Sequence, residues 1–199
     1  PGAEVLEELV VGDPRELLEI ALEPLAAGRE TGAGRRSCEP LYLVCTNGKR
    51  DACCARLGVA VARRLAEARP GRVWECSHLG GHRFAANVLC LPAGLVYGRV
   101  TPERADELAA SQEAGGVVLE LLRGRSAFPP AVQAGEQFLR AQGGLDAGER
   151  LSLVESADGD ATFATADGTQ FSVRVAVTAG PMRPASFEAK AEPSEHFEL

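Results

Sequence analysis

The chain has 199 residues, 45% hydrophobic and 25% charged, an ordinary balance for one large globular domain or two small ones. Lys and Arg total 21 against 28 acids, and the net charge of −7 argues against a surface built for nucleic acid or anionic lipid. The longest apolar stretches are broken by Pro92 or by charges well short of the roughly 20 residues that span a bilayer. No basic-then-apolar leader opens the chain, so a cytoplasmic location is expected, with no membrane and no nucleic-acid partner. A chain that opens on Pro1 rather than Met is expected to be processed, tag-cleaved or excised.

Asp13-Pro14 supplies an N-cap and a first helical position. Leu17, Leu18, Ile20, Ala21, Leu22 and Leu25 then recur at helical spacing up to Gly28, which predicts a helical arm. Residues 28–38, with Gly28, Gly32, Gly34 and the Arg35-Arg36 pair, read as a linker. The apolar run from Leu41 to Cys45, bounded by Pro40 and Asn47-Gly48, predicts a buried strand. Residues 54–68 are rich in Ala, Arg and Leu and predict a helix ended by Pro70-Gly71. Residues 72–77 form the next strand and 78–83 a glycine-bearing loop. Residues 87–91 and 95–100 flank Pro92-Ala93-Gly94, which suits a β-hairpin. Thr101-Pro102 opens a helix running to about Arg123, and another follows Phe128-Pro129-Pro130 to about Gln142.

The order over residues 40–123 is therefore β-α-β-loop-β-β-α, the thioredoxin-like order with its middle helix shortened to a loop. The crossover helix makes the first two strands parallel and the hairpin is antiparallel, so an α/β fold with a mixed sheet and flanking helices is expected. Residues 150–178 show three alternating strands separated by Asp158-Gly159 and Asp167-Gly168 turns, and the chain after Gly180 reads as extended. The expected organisation is a helical arm and linker at 1–36, the thioredoxin-like domain at 37–126, a packing helix at 127–148, and a small C-terminal β meander and tail at 149–199.

Six cysteines, at 38, 45, 53, 54, 76 and 90, point to metal or redox chemistry rather than a disulfide framework in a chain expected to be cytoplasmic. Five of the six lie between Cys45 and Cys90, and His78 and His82 share that window. Cys45 ends a strand and Cys54 starts the following helix, so both thiols reach one end of the sheet. Parallel strands place their C-terminal ends together, which brings the loop carrying His78 and His82 to the same end. A helix N-terminus would also favour the Cys54 thiolate. Two Cys and two His can hold zinc in a closed tetrahedral site. They can also hold a 2Fe–2S cluster, with thiolates on one iron and imidazoles on the other. Spacing does not decide between the two. Cys53 competes with Cys54 as a ligand, whereas Cys38, Cys76 and Cys90 read as small buried residues. His196 is expected to be solvated.

The segments Leu-Val-Cys-Thr-Asn-Gly-Lys-Arg-Asp-Ala-Cys-Cys, Trp-Glu-Cys-Ser-His-Leu-Gly-Gly-His-Arg-Phe-Ala-Ala-Asn and Tyr-Gly-Arg-Val resemble the sucrase/ferredoxin-like proteins over roughly residues 37–140. That resemblance implies a thioredoxin-like 2Fe–2S ferredoxin domain, with Cys45 and Cys54 on one iron and His78 and His82 on the other. The expected function is one-electron transfer with an unidentified redox protein partner. Because an imidazole bound to iron keeps a second nitrogen that can carry or lose a proton, proton coupling through the histidine ligands is expected as well. "Sucrase" carries no weight, because no carboxylate pair for glycoside hydrolysis is apparent. The alternatives are a structural zinc-binding interaction module and a thiol–disulfide redox protein, although no Cys-x-x-Cys occurs. Around the site, Lys49, Arg50 and Arg83 could neutralise a reduced cluster or contact a partner. Gly80 and Gly81 could admit backbone N–H groups to the cluster, and Asn87 could donate a supporting hydrogen bond.

Overall fold

The computed structural model describes residues 4–49, 52–142, 145, 148–184 and 190–199. Its centre is a five-stranded sheet of β3 (Leu41–Cys45), β4 (Val73–Cys76), β5 (Val88–Leu91), β6 (Leu95–Tyr97) and β7 (Leu122–Arg125), in the order β4-β3-β5-β6-β7. Strands β3 and β4 are parallel and the other pairs antiparallel, the mixed sheet the element order requires. The helix α2 (Ala52–Ala68) makes the β3-to-β4 crossover and packs on α3 (Pro102–Glu113).

Alternation along each strand selects the core. Tyr42 and Val44 of β3 lie opposite Cys90 and Val88 of β5, which lie opposite Leu95 and Tyr97 of β6; all six are buried. Val61, Leu65 and Leu108 close this face from α2 and α3. Leu41, Leu43, Leu89 and Val96 point to the other face and stay half-buried. One face of the sheet thus carries most of the apolar burial, at roughly 25 cal/mol per Å².

The helical arm departs from expectation. Asp13 does cap a helix, accepting from Arg15 N at 2.8 Å while Glu16 accepts from Asp13 N at 3.0 Å, but the result is a 3-10 turn at Pro14–Glu19 and a separate four-residue helix α1 (Glu23–Ala26). Pro24 explains the break. It has no N–H, and its ring would strike the carbonyl of Ile20, the residue at which the first turn leaves helical geometry. The intended apolar stripe is left outside, with Leu17, Leu18 and Leu22 exposed. The linker is also partly ordered: β1 (Glu7–Glu8) pairs with β2 (Arg35–Arg36), reinforced by a Glu8–Arg35 ion pair at 2.9 Å.

The helix from Thr101 stops at Glu113 rather than near Arg123. Gly115, at φ 76°, and Gly116 release the chain, and Leu122–Arg125 returns as β7. The helix α4 (Pro130–Gln142) packs between β7 and a three-stranded meander of β8 (Ser152–Ala157), β9 (Asp160–Ala164) and β10 (Gln170–Arg174), where Val132, Phe163 and Val173 form a second core. The chain beyond is not simply extended: β11 (Ala176–Pro184) and β12 (Ala191–Glu198) pair as a hairpin. Among the described residues no helix is long and apolar enough to cross a membrane.

Candidate metal centre

Cys45 and Cys76 are paired neighbours at the C-terminal ends of the parallel strands β3 and β4. Thr46 N donates to Cys76 O at 3.2 Å and Cys45 N to Asn87 O at 3.0 Å, so three chain segments are tied at this end of the sheet. The first turn of α2 carries Cys53 and Cys54 against them. Gly58 permits that approach, because a Cβ there would collide with the Cys45 carbonyl oxygen. The sequence thus places its thiols by a strand end, a short loop and a helix start. Arg50 and Asp51 of that loop lie outside the described residues.

Cys45 and Cys54 are each 1% exposed and Cys53 is 4% exposed. The Cys45 thiol donates to Ser77 O at 2.8 Å, and the Cys53 thiol to His82 O at 3.4 Å. Burial, then hydrogen bonding and charge from Cys45 and Cys53, push the Cys54 thiol far above its ordinary value. Burial and the neighbouring Cys45 push the Cys76 thiol up to about 11. Burial of this kind opposes thiolate formation at Cys54 and Cys76, and a bound cation would favour it.

The histidines arrive on the loop after β4. Gly80 and Gly81 take positive φ of 78° and 65°, and Gly81 opens a 3-10 turn over His82–Phe84. His82 is turned inward, 7% exposed, with Nδ1 3.5 Å from Cys54 Sγ. Its Nε2 is buried and has no hydrogen-bond partner among the described residues. An orphaned buried ring nitrogen costs free energy, about 1–3 kcal/mol, unless something completes it. His78 is exposed and stacks on His82 with ring centroids 4.6 Å apart. The four expected residues therefore gather at one end of the sheet, three inside and His78 at the mouth. Among the described residues, Cys53, Cys54 and His82 form a trio whose donor atoms lie within 4.8 Å of one another. Thiols and imidazole suit zinc and iron–sulfur centres rather than hard cations, so the residues present fit such a group.

Two residues support the histidine loop. Asn87, fully buried, donates from Nδ2 to Gly81 O at 3.1 Å. Arg123 of β7 donates to Asn87 Oδ1 at 2.9 Å and to Gly80 O at 3.2 Å. Asn87 was legible beside the histidines; Arg123 was not, because nothing local marks a residue whose role depends on the β6–β7 pairing. Cys90 is buried as expected, Cys76 is half-buried, and Cys38 is exposed because it lies on the segment leading into β3 rather than in the core. His196 is solvent-exposed and pairs with Glu198 at 3.3 Å.

Residues 3–124 match the family model described as sucrase/ferredoxin-like. That match takes in the N-terminal arm and ends at β7. The chain is 32% identical over 95 residues to the altered inheritance of mitochondria protein 32 of Debaryomyces hansenii, covering 42% of this chain and 35% of that protein. The chain thus spans about a third of that curated relative. Among solved structures it is similar to a thioredoxin-like [2Fe-2S] ferredoxin from Aquifex aeolicus, at 20% identity and a TM-score of 0.41 over 47% of this chain and 97% of that one. A second structure of that ferredoxin, the wild type at 1.5 Å, gives 18% identity and a TM-score of 0.39 over 45% and 100%. With well over half its length matched by the family model, the chain belongs to the sucrase/ferredoxin-like family.

Proposed function

We propose that the chain is a one-electron carrier holding a 2Fe–2S cluster, with Cys45 and Cys54 on one iron and His78 and His82 on the other. The observation that carries this reading is the buried, unpartnered Nε2 of His82 beside a buried nest of thiols. Family membership supports it. When bound, such a cluster takes up and releases one electron. The protein's part is to set the charge, the burial and the geometry around it. Two thiolates against a +2 core of two ferric ions and two sulfides leave the oxidised site neutral, whereas four thiolates would leave it at −2. An electron enters a neutral site more readily, so the potential is expected above the roughly −400 mV of plant-type all-cysteine ferredoxins. Asn87 and Arg123 fix the loop that presents the imidazoles. His78, exposed and stacked on buried His82, gives a path between the buried donors and a partner's surface.

The test is anaerobic purification followed by iron and acid-labile sulfide analysis and electron paramagnetic resonance of the reduced protein. A red-brown protein with equal iron and sulfide and a reduced-state resonance is expected. A colourless protein holding zinc would overturn the reading in favour of a structural zinc module. Catalytic turnover in an insulin-reduction assay by iron-free protein would overturn it in favour of thiol–disulfide chemistry.

A further inference from the structure

Phe84 lies two residues beyond His82, and three guanidiniums pack on its ring. The Cζ atoms of Arg83, Arg99 and Arg123 stand 4.8, 4.7 and 4.8 Å from the ring centroid. All three charges therefore sit within about one Debye length of each other at ordinary salt, roughly 10 Å. Among the described residues, none of the three has a carboxylate at ion-pairing distance. Most other arginines do: Arg35, Arg64, Arg69, Arg104 and Arg174 each contact a carboxylate. The hydrogen bonds of Arg123 go to neutral acceptors, Gly80 O and Asn87 Oδ1, so its charge is not cancelled. Burial first, and then the charges of Arg83 and Arg99, hold Arg123 below the ordinary arginine range.

The backbone is shaped to hold this group. A Cβ at Gly98 would lie 2.7 Å from Arg123 Cδ and 2.9 Å from Phe84 Cβ, so only glycine lets the ring and the arginine stem pass. Arg99 sits at φ 57°, a left-handed conformation uncommon outside glycine, and its N donates to Phe84 O at 2.7 Å. Backbone outliers of this kind persist where the surroundings enforce them, and they gather at functional sites. Arg99 is exposed and Arg83 half-buried, so the charges face solvent beside the mouth of the candidate metal centre. In a molecule of net charge −7 this is a local inversion of sign.

We propose that Arg83, Arg99 and Arg123, clamped on Phe84, form the docking surface for the acidic face of a protein that exchanges electrons with the neighbouring site. The proposal rests on the electron-carrier reading for what the partner does, and on the arginine cluster for what it looks like. Charge complementarity of this sort raises the encounter rate and fixes orientation more than it adds affinity, which suits a partner that must leave after each electron. A protein fits better than a nucleic acid, because the cluster is small and a long polyanion would be repelled by the acidic remainder of the surface.

The experiment titrates the full-length chain with a peptide of ten glutamates at low salt, following backbone amide shifts by nuclear magnetic resonance. Shifts are expected to centre on residues 83–84 and 98–99. The R83E/R99E double variant is expected to weaken binding by about tenfold, against no more than about twofold for R15E/R29E, which changes net charge equally at distant exposed sites. Arg123 is left intact because it also braces the histidine loop. No saturable binding, or an equal loss in both variants, overturns the proposal. Tighter binding of a single-stranded oligonucleotide of matched charge at the same residues overturns it too. The titration does not depend on metal content, so its failure is separable from failure of the iron and sulfide analysis. With the loaded protein, oxidation of the reduced site by hexacyanoferrate(III) is expected to slow several-fold in R83E/R99E alone.

Discussion

A single nitrogen separates a candidate metal site from a packed core here. The Nδ1 of His82 already faces Cys54 Sγ, and its Nε2 is buried without a hydrogen-bond partner among the described residues. His82→Ala is expected to abolish retention of iron and sulfide, and His78→Ala to leave a labile, partly loaded site because its ring is at the surface. The two adjacent cysteines separate in the same assay. The Cys54 thiol shares hydrogen bonds with Cys45 and Cys53, whereas the Cys53 thiol is turned toward the His82 carbonyl. Cys45→Ser and Cys54→Ser should each lose the centre, and Cys53→Ser should keep it; loss only in Cys53→Ser would reassign the ligand. Residue identity made this site legible in the sequence, since soft donors concentrated in one window have few other uses. What the sequence could not show was that His82 turns in and His78 stays out, because Gly80 and Gly81 allow either.

At the scale of elements, the close approach of α2 to the end of β3 is the contact on which the thiol geometry depends. Gly58→Ala improves helix propensity by about 0.8–1.0 kcal/mol. It also drives a methyl into the Cys45 carbonyl, an overpacking cost of typically 1–3 kcal/mol. The collision is with backbone and cannot be relieved by a rotamer, so the variant should unfold at lower urea and load less iron. The far end of α2 carries a different signal. Arg69 donates to both oxygens of Glu113, at 2.9 and 3.1 Å, and that hydrogen bond holds the Glu113 carboxyl below its ordinary 4.5. A depressed carboxyl contributes stability above its unfolded value and loses it as pH falls through the folded one. Arg69→Met should therefore cost about 0.5–1 kcal/mol near neutral pH, a modest figure for a partly exposed pair. That cost should vanish well below pH 4.5, as paired urea titrations would show. The same helices mark where sequence reading succeeds. Apolar runs, composition and Pro/Gly boundaries placed β3, α2, β5 and α4 to within a few residues, because buried apolar side chains define them. Strand β7 was hidden: its buried positions are only Leu122 and Gly124, and it exists because β6 offers an edge to pair with. The arm failed for the converse reason, a convincing apolar period interrupted by Pro24.

At the scale of the whole molecule, the question is what joins the family-matched residues 3–124 to the α4 and meander unit that follows. Glu136 of α4 answers it. It is 1% exposed and accepts from Arg125 Nε at 3.1 Å on both oxygens, and from Arg140 at 3.0 and 3.2 Å. Arg125 extends the network to Glu4 at 3.2 Å, so the N-terminal segment, the sheet edge and α4 meet at one guanidinium. Removing Glu136 leaves Arg140 with no carboxylate among the described residues and Arg125 with Glu4 alone, and breaking a buried pair in this way costs about 3–5 kcal/mol, far more than a surface pair. Glu136→Ala should therefore lower stability by that order, and Glu136→Gln by less, since the amide oxygen still accepts one of the bonds. The strand register adds a second expectation. Arg125 lies opposite Leu95, and Cys90 opposite both Leu95 and Tyr42, whereas the thiols follow Val44, which lies opposite Val88, itself opposite Tyr97. The carboxylate thus sits at the end of the sheet away from the candidate metal centre. Glu136→Ala should unfold at lower urea yet carry the same iron, sulfide and reduced-state resonance as the unmodified protein when folded. A stability loss accompanied by a changed resonance would instead mean that the two ends of the sheet are coupled.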